Sequence, residues 1–251
     1  MTERREGAGM FPAGLEQPEG SFRFSGDALL LADFAAALPL PENATFADLG
    51  TGCGVVALAV LRRKTLWRGV GLELQPELAA AARRNARRLG VEDRFCVLEG
   101  DVGESARLRE MRAVLSEGED EEDGGRDCPL FDAVFCNPPW RRQGAGRLPP
   151  SVMRRAALFG TERTFPTFFF AADGLLKNGG RLAVVSGADR TADLLAALPV
   201  RMRPERLCFV FTRRDAPAAF ALLLARKNGR AALRVDKLEL AGARTAPHAG
   251  E

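Results

Sequence analysis

The residues best suited to chemistry are four in a row, Asn137-Pro138-Pro139-Trp140, in a chain of 251 residues. The first proline has no N–H, and two successive prolines stiffen the backbone so that its carbonyl groups point outward. The Asn137 side-chain oxygen and the Pro138 carbonyl can then accept both hydrogens of one amino group. Those acceptors expose the nitrogen lone pair and stabilise positive charge arriving on it. With Trp140 as a face for stacking, the motif favours alkylation of a planar amino group over a plain rigid turn.

A glycine-rich segment predicts a cofactor site. Gly50, Gly52 and Gly54 alternate with other residues after a short apolar run, and Asp48 stands two residues before the first of them. Glycines at alternate positions let the backbone turn tightly and approach a ligand closely. The dinucleotide-binding pattern is GxGxxG, whereas this one is GxGxG with an acid ahead of it. That acid suits a ligand with a cationic tail better than it suits a pyrophosphate.

Two more acidic residues follow at the ends of the next predicted strands. Glu73 comes 19 residues after Gly54, where a carboxylate can accept hydrogen bonds from two ribose hydroxyls. Asp101 ends the third predicted strand, where a carboxylate can accept from an adenine amino group. A single acid near a strand end is common. Three in order on consecutive strands favour a nucleoside cofactor with a cationic tail.

Composition excludes several kinds of chemistry. The chain has no tyrosine, and its one histidine is His248, near the C-terminus. A histidine base or a Ser/His/Asp relay is therefore excluded, and no zinc site can be drawn. The five cysteines have no CxxC spacing and no export signal precedes them, which predicts reduced thiols in a cytoplasm. No apolar stretch is long enough to cross a bilayer, so we expect a protein that does not span a membrane. Together with the reduced thiols and the missing zinc ligands, this predicts a cytoplasmic enzyme that uses no metal.

Alternating strand-like and helix-like segments must position these groups. Strands are expected at seven segments: 44–50, 68–74, 94–101, 131–137, 181–187, 205–213 and 218–227. Helices are expected at 55–64, 76–90, 105–117, 165–176 and 191–198, and residues 232–240 could add an edge strand. This order predicts one doubly wound α/β domain, with a mostly parallel, seven-stranded sheet and helices on both faces. We expect residues 21–240 to form the domain, with flexible residues 1–20 before it and a flexible tail at 241–251.

Charge is unevenly distributed along the chain. Residues 1–137 hold 16 Lys and Arg against 24 Asp and Glu, whereas residues 138–251 hold 20 against 9. A basic C-terminal half predicts an anionic partner such as RNA, with a solvated arginine-rich surface as the alternative. The candidates for phosphate contacts follow the proline motif: Arg141, Arg142 and Arg147, then Arg154 and Arg155. The acidic run at 118–127 predicts a solvated loop.

Asp48–Gly54, Glu73, Asp101 and Asn137–Trp140 resemble the ordered motifs of class I S-adenosylmethionine-dependent methyltransferases that modify exocyclic or amide nitrogens. The lead-in from Phe22 to Leu31, FRFSGDALLL, resembles that of the tRNA (adenine-N6) methyltransferases acting on a valine tRNA, which usually have tyrosine where this chain has Trp140. The resemblance extends from about Phe22 to Leu240. It implies S-adenosylmethionine as cofactor and a tRNA adenine as target. The implied contacts are Asp48, Gly50 and Gly52 at the methionine part with Gly54 in the same loop, Glu73 at the ribose, Asp101 at the adenine, and Asn137 to Trp140 between cofactor and target base.

Three other functions share part of this pattern. A protein glutamine-N5 methyltransferase has the same proline motif but normally carries a helical N-terminal domain, and only about forty residues precede the first strand here. A guanine-N2 methyltransferase of ribosomal RNA is usually built from duplicated domains. A non-catalytic cofactor-binding subunit has no reason to retain Asn137, Pro138 and Pro139. The glycine spacing argues against a nicotinamide oxidoreductase. Among the candidate functions that remain, methylation of adenine N6 in tRNA is preferred.

Overall fold

The computed structural model describes residues 14–19, 21, 24, 26–116, 130–142, 151 and 158–240. Within these ranges the helices are α1 (Gly26–Ala36), α2 (Val55–Arg63), α3 (Pro76–Arg88), α4 (Ser105–Ser116), α5 (Thr164–Leu175) and α6 (Thr191–Ala196). The strands are β1 (Thr45–Leu49), β2 (Arg68–Glu73), β3 (Phe95–Glu99), β4 (Phe131–Cys136), β5 (Arg141–Arg142), β6 (Phe159–Gly160), β7 (Leu176–Gly187), β8 (Met202–Phe211), β9 (Phe220–Lys227) and β10 (Arg234–Glu239).

Eight of these strands form one sheet in the order β3-β2-β1-β4-β7-β9-β8-β10. Every neighbouring pair is parallel except those made by β9, which runs antiparallel to β7 and to β8. Because β1 lies between β2 and β4, the chain proceeds to one side of it through β2 and β3 and then continues on the other side. Ligand crevices open at such a switch point, beyond the carboxyl ends of the strands.

Helices cover both faces of the sheet because its central strands are apolar on both sides. Phe46 of β1 belongs to a core that includes α1, α2 and α3, whereas the next residue, Ala47, belongs to a core that includes α4, α5 and α6. Both side chains are fully buried. Parallel strands that are buried on both faces have continuous apolar sequences rather than alternating ones. The predicted doubly wound α/β fold is confirmed.

The main sheet has eight strands rather than the predicted seven, because the possible edge strand at 232–240 is present as β10, parallel to β8. Most of its side chains are exposed, and four of its six residues are charged. Charges on an edge strand discourage pairing with another chain. They also weaken the apolar pattern by which a strand is recognised in a sequence.

Helix α1 is absent from the predicted elements. It is apolar almost throughout, and a helix without a polar face lacks the 3.6-residue alternation that identifies helices. Leu31, Ala32 and Ala35 are fully buried, in the same core as α2. Strand β7 also begins earlier than predicted, at Leu176, because it follows α5 directly.

The described part of the N-terminal segment, residues 14–19, lies against α3, whereas residues 1–13 and the predicted tail at 241–251 lie outside the described residues. Leu15 is buried, and the backbone N–H of Glu16 donates to Asn85 Oδ1 at 2.8 Å. The Glu16 carboxylate also forms an ion pair with Arg84 at 2.6 Å. Within the described ranges, no helix is long and apolar enough to cross a membrane.

Candidate active site

A cavity of about 460 Å³ opens beyond the carboxyl ends of β1, β2 and β4. This volume lies in the range of pockets that hold small-molecule ligands. Most of the predicted site residues line it: Asp48, Gly50, Gly52, Glu73, Asp101, Asn137, Pro138, Pro139, Trp140 and Arg141. Groups that come from separate strands in the sequence thus converge on one cavity.

The loop after β1 takes backbone conformations that favour glycine. Gly52 has a φ of 60°, and no atom lies within 4 Å of the position a Cβ would take there. The loop can therefore present bare backbone to a ligand. Gly54 has a φ of 88° but is not among the cavity-lining residues, and a Cβ there would meet Leu58 at 3.0 Å. Gly54 is thus needed for the turn into α2 rather than for the cavity wall.

The Asp48 carboxylate faces its own loop. It is 1% exposed, and its Oδ2 accepts a hydrogen bond from the Thr51 hydroxyl at 2.7 Å. Burial raises the pKa of Asp48 to about 7, although hydrogen bonds from Thr51 and from the Ala57 backbone act in the opposite direction. Asp48 therefore orders the glycine loop, and a cation in the cavity would stabilise its ionised form.

Glu73 connects two loops at the end of β2. Its Oε2 accepts from the Gly52 N–H and its Oε1 accepts from the Gln75 N–H, both at 2.9 Å. Burial raises the pKa of Glu73, and the same two backbone hydrogen bonds oppose the rise. Each carboxylate oxygen has a second lone pair, so the group can still accept from a ligand hydroxyl. Only 6% of Glu73 is exposed, so it lies deeper than an ordinary strand-end acid.

Asp101 lies two residues beyond β3, which ends at Glu99 rather than at Asp101 as predicted. Its Oδ1 accepts from the Gly103 N–H at 2.8 Å, and the residue is exposed. Apolar side chains from two loops and two helices complete this end of the cavity: Leu74, Leu78, Val102 and Phe168. This combination of an apolar slot with one carboxylate suits a flat heteroaromatic ring that carries an amino group.

The proline motif forms the opposite wall, directly after β4. Asn137 Nδ2 donates to Asp27 Oδ2 at 3.3 Å. The Pro139 carbonyl packs against Gly160 so closely that a Cβ on Gly160 would lie 2.2 Å from its oxygen. The short pairing of β5 with β6 holds the chain in this place.

Three groups hold Trp140. Its ring makes an edge-to-face contact with Phe220, with the ring centroids 6.4 Å apart. The backbone of Gly187 lies so close that a Cβ there would be 2.7 Å from the indole. Arg190, which is 7% exposed, donates to the Trp140 carbonyl. The indole thus has a defined orientation at the cavity mouth.

The structure describes only part of the predicted arginine group. Arg141 lines the cavity, and its guanidinium lies 5.6 Å from the centroid of the Trp140 ring. Arg142 is described only as a member of β5. The remaining arginines of the group, Arg147, Arg154 and Arg155, lie outside the described residues. The acidic run at 118–127 also lies outside them.

Sequence reasoning missed several residues of this site, of which Asp27, Phe168, Arg190 and Phe220 are the clearest. Asp27 belongs to the lead-in segment ahead of β1, which the sequence analysis singled out without assigning a function to this residue. The other three lie in ordinary apolar or charged stretches, which give no such signal. Among the described residues, no three His, Cys, Asp or Glu side chains converge as metal ligands do.

Comparisons with known proteins agree with this geometry. A family model described as "Precorrin methyltransferase domain" matches residues 28–119. A tRNA1(Val) (adenine(37)-N6)-methyltransferase of Porphyromonas gingivalis is 29% identical over 204 residues, which cover 79% of this chain and 72% of the relative. A release factor glutamine methyltransferase of Moorella thermoacetica is 31% identical over 155 residues, covering 59% of this chain and 48% of that protein. The chain thus spans about half the length of the second relative.

A solved structure supports the fold independently. The crystal structure of a predicted O-methyltransferase from Agrobacterium tumefaciens superimposes with a TM-score of 0.60 at 24% identity. The alignment covers 88% of this chain and 92% of that one. At this level of identity the likeness establishes the fold, and the chemistry must be argued from the site.

Proposed function

We propose that this chain, an S-adenosylmethionine-dependent methyltransferase with the class I fold, methylates an exocyclic amino nitrogen, namely N6 of an adenine in RNA. One observation carries the proposal. Asn137, Pro138, Pro139 and Trp140 line the same cavity as the glycine loop and Glu73. An acceptor for an amino group, a stacking surface and a nucleoside pocket thus lie side by side.

The residues of the cavity fit S-adenosylmethionine. The bare backbone at Gly50 and Gly52 suits the methionine part, and Asp48 lies buried behind it as a counter-charge for a cationic ligand. Glu73 suits the ribose hydroxyls, and Asp101 with Leu74 suits the adenine. Gly54 supports the turn of this loop. When bound, the cofactor supplies an electrophilic methyl group on a sulfonium sulfur.

The chain's own residues would then position and polarise the target nitrogen. The Asn137 amide oxygen and the Pro138 carbonyl would accept hydrogen bonds from the two N–H groups of the target nitrogen, and Trp140 would stack on the base. Held in this way, the nitrogen would present its lone pair to the methyl group that the cofactor supplies, with the neutral thioether of the spent cofactor as the leaving group. The methylated nitrogen loses one proton to water. No histidine is required, which agrees with a chain whose one histidine is His248.

RNA is the substrate class favoured by charge, with a tRNA as the specific candidate. Residues 138–251 hold 20 Lys and Arg against 9 Asp and Glu, and Arg141 stands at the cavity mouth beside Trp140. The relative from Porphyromonas gingivalis is named for a tRNA adenine. A cytoplasmic location follows from such a substrate and belongs to the same proposal.

A protein glutamine is the second candidate, because several similar proteins are named release factor glutamine methyltransferases. The acceptors on Asn137 and Pro138 suit an amide NH₂ as well as an aryl amine. Trp140 and the basic half favour the base, since a single glutamine has neither an aromatic ring nor phosphates. A guanine N2 in ribosomal RNA stays the third candidate.

A labelling experiment tests the proposal. Purified enzyme is incubated with methyl-tritiated S-adenosylmethionine and, separately, with total RNA and total protein from cells that lack the enzyme. We expect label in the small RNA fraction, released as N6-methyladenosine on digestion. Asn137→Ala serves as the matched control, and it should bind the cofactor but transfer methyl about 10²–10³-fold more slowly, the scale for one preorganised polar group. Label in protein alone would contradict an RNA substrate and favour a protein glutamine as the substrate.

A further inference from the structure

Asp27 reaches the proline motif from a distant part of the chain. It stands in the first turn of α1, and its Oδ2 accepts a hydrogen bond from Asn137 Nδ2 at 3.3 Å, across 110 residues of sequence. Asp27 is 3% exposed and lines the same cavity as Asn137. Burial of a carboxylate costs free energy, so a buried carboxylate beside a proposed catalytic amide indicates that the contact has a chemical role.

An asparagine side chain has two ends of opposite hydrogen-bonding character. One end is an NH₂ group that donates, and the other is an oxygen that accepts. A carboxylate only accepts, so it favours the NH₂ end of Asn137 facing Asp27. The amide oxygen must then face the other way. If the amide were turned by 180°, two acceptors would face each other and a donor would meet the hydrogens of the substrate's amino group.

We propose that Asp27 is a positioning residue for methyl transfer: it fixes the side-chain amide of Asn137 so that its oxygen accepts the target amino group. This inference rests on the proposed function, in which Asn137 binds that group. Asp27 acts through Asn137 rather than by touching the substrate nitrogen.

The fold holds Asp27 rigidly enough for this role. Backbone N–H groups at the start of a helix favour a negative charge in the first turn. Helix α1 is anchored by its fully buried apolar residues Leu31, Ala32 and Ala35 further along, which belong to the same core as α2. A carboxylate held in this way can define the orientation of its partner instead of following it.

A double-mutant cycle tests the inference, with the substrate that the wild-type enzyme labels and with saturating S-adenosylmethionine. Asp27→Ala should lower kcat about 10–100-fold, the scale for groups that orient a reacting residue. The cofactor Kd should stay within about twofold. The double variant Asp27→Ala/Asn137→Ala should be no slower than Asn137→Ala alone, since residues that act as a unit are not additive. Asp33→Ala, which removes a carboxylate from the same helix, is the matched control and should leave kcat unchanged.

Two results would overturn the inference. Additive losses in the double variant would show that Asp27 acts independently of Asn137. A large loss of cofactor affinity in Asp27→Ala, with kcat retained, would place Asp27 at the cofactor instead. If Asp27→Ala does not fold, the isosteric Asp27→Asn carries the same test. An amide at position 27 can present either its oxygen or its NH₂ group to Asn137, so it no longer selects one orientation. Its kcat should therefore fall below that of the wild type, and this loss should disappear in the Asn137→Ala background.

A second readout does not depend on activity. In a ¹⁵N-labelled protein, the side-chain amide signals of Asn137 are identified by their disappearance in Asn137→Ala. We expect these signals to move, and their hydrogen exchange to quicken, in Asp27→Ala and not in Asp33→Ala. Unchanged signals would contradict the contact. If the wild-type enzyme labelled neither RNA nor protein, the proposed function would fail, while this measurement would still decide the contact.

Discussion

At the scale of single residues, the acids of the cavity bind their own loops before they bind any ligand. Asp48 accepts from Thr51, and Glu73 accepts from the backbones of Gly52 and Gln75. Both are nearly excluded from water, and burial raises the pKa of each. A ligand with positive charge and hydroxyl groups would lower the free energy of both carboxylates, so these residues couple cofactor binding to the order of the glycine loop.

Glu73 offers the first prediction. Glu73→Gln should weaken S-adenosylmethionine binding by about 1.5–3 kcal/mol, because a charge-assisted hydrogen bond to the ribose is lost. Calorimetric titration measures this. The glutamine keeps an acceptor for only one of the two loop N–H groups, so it should lower the melting temperature less than Glu73→Ala, which leaves the N–H groups of both Gly52 and Gln75 without this partner.

Glu99→Gln is the control for Glu73. Glu99 is the register partner of Glu73 on the neighbouring strand, but it is exposed and is not among the cavity-lining residues. Its substitution should leave the cofactor Kd unchanged. Equal affinity of Glu73→Gln and the wild type would remove Glu73 from the cofactor site.

Asp48 leads to a prediction on pH. Its folded pKa of about 7 lies above the ordinary value of 3.8, so the folded protein holds a proton that the unfolded chain releases between these values. The stabilisation by protonated Asp48 is fully present below about pH 4 and is lost as the pH rises through about 7. Asp48→Asn cannot ionise. Its free energy of unfolding, relative to that of the wild type, should therefore rise from pH 4 to pH 7 and then level off.

Denaturant unfolding at a series of pH values measures this difference. The slope with pH tests the prediction, because any change in the hydrogen bond from Thr51 adds an offset that does not vary with pH. A cationic ligand should also favour ionised Asp48, so cofactor affinity should increase as the pH rises towards 7 in the wild type and less so in Asp48→Asn. A flat difference in stability would mean that Asp48 has an ordinary pKa.

At the scale of elements, the strand ends position the indole. Trp140 follows β4, Gly187 ends β7 and Phe220 begins β9, and these three strands are neighbours in the sheet. Arg190, just after β7, donates to the Trp140 carbonyl. The wall on which a base would stack is therefore built by three strands rather than by one motif.

Gly187→Ala tests this arrangement. The backbone at Gly187 has φ −59° and ψ 140°, which alanine adopts freely, so the effect is steric. The new Cβ would lie 2.7 Å from the indole and 2.5 Å from Asp189 Oδ1. The Asp189 carboxylate can rotate away, but the ring must move. We expect methyl transfer to fall about 10–100-fold, the scale for a shift of about 1 Å at a reacting group.

The accompanying measurements separate this effect from general damage. Cofactor affinity should stay close to that of the wild type, and tryptophan fluorescence should shift. Gly174→Ala is the matched control, because no atom lies within 4 Å of its Cβ position and it sits in helix α5. Full activity in Gly187→Ala would show that the orientation of Trp140 is unimportant.

At the scale of the whole molecule, the two halves of the chain differ in charge. The half with the glycine loop is acidic, which suits a cationic cofactor, and the half after the proline motif is basic, which suits an RNA backbone. The proline motif stands at the boundary between them. A methyl group would thus pass from a site with a negative environment to a base held by positive charge.

The corresponding prediction concerns salt. RNA binding should weaken steeply with ionic strength, each phosphate contact adding about 0.7–0.9 to the slope of log affinity against log salt. Replacing Arg141 and Arg142 by alanine should flatten that slope by about one to two units without changing cofactor affinity. Binding of labelled total tRNA over a salt series measures it.

Two consecutive arginines on helix α3 supply the control for salt dependence. Arg87 and Arg88 are exposed at the C-terminal end of α3, which points away from the carboxyl edge of the sheet. Their replacement by alanine should leave the slope unchanged. Weak RNA binding with no salt dependence in the wild type would favour the glutamine substrate.

Features that depend only on neighbouring residues are predictable from the sequence alone. The alternation of strands and helices, the glycine turn after β1 and the position of Asn137–Trp140 after β4 all follow from local pattern. The strand-end rule then predicted that Glu73 and Asp101 share a cavity with them, because parallel strands end at the same edge. These features need no knowledge of which distant segments meet.

Contacts between segments that are far apart in the chain depend on how the elements pack, and local pattern does not predict them. Asp27 meets Asn137 because apolar α1, which has no sequence periodicity, packs on α2 and brings its first turn to the cavity. Gly54 faces the core and not the cavity, because α2 begins there. Trp140 is oriented by Gly187 and by residues beyond β4, on strands whose order in the sheet differs from their order in the chain. Local pattern determines which groups reach the edge, and long-range packing determines how each is oriented there.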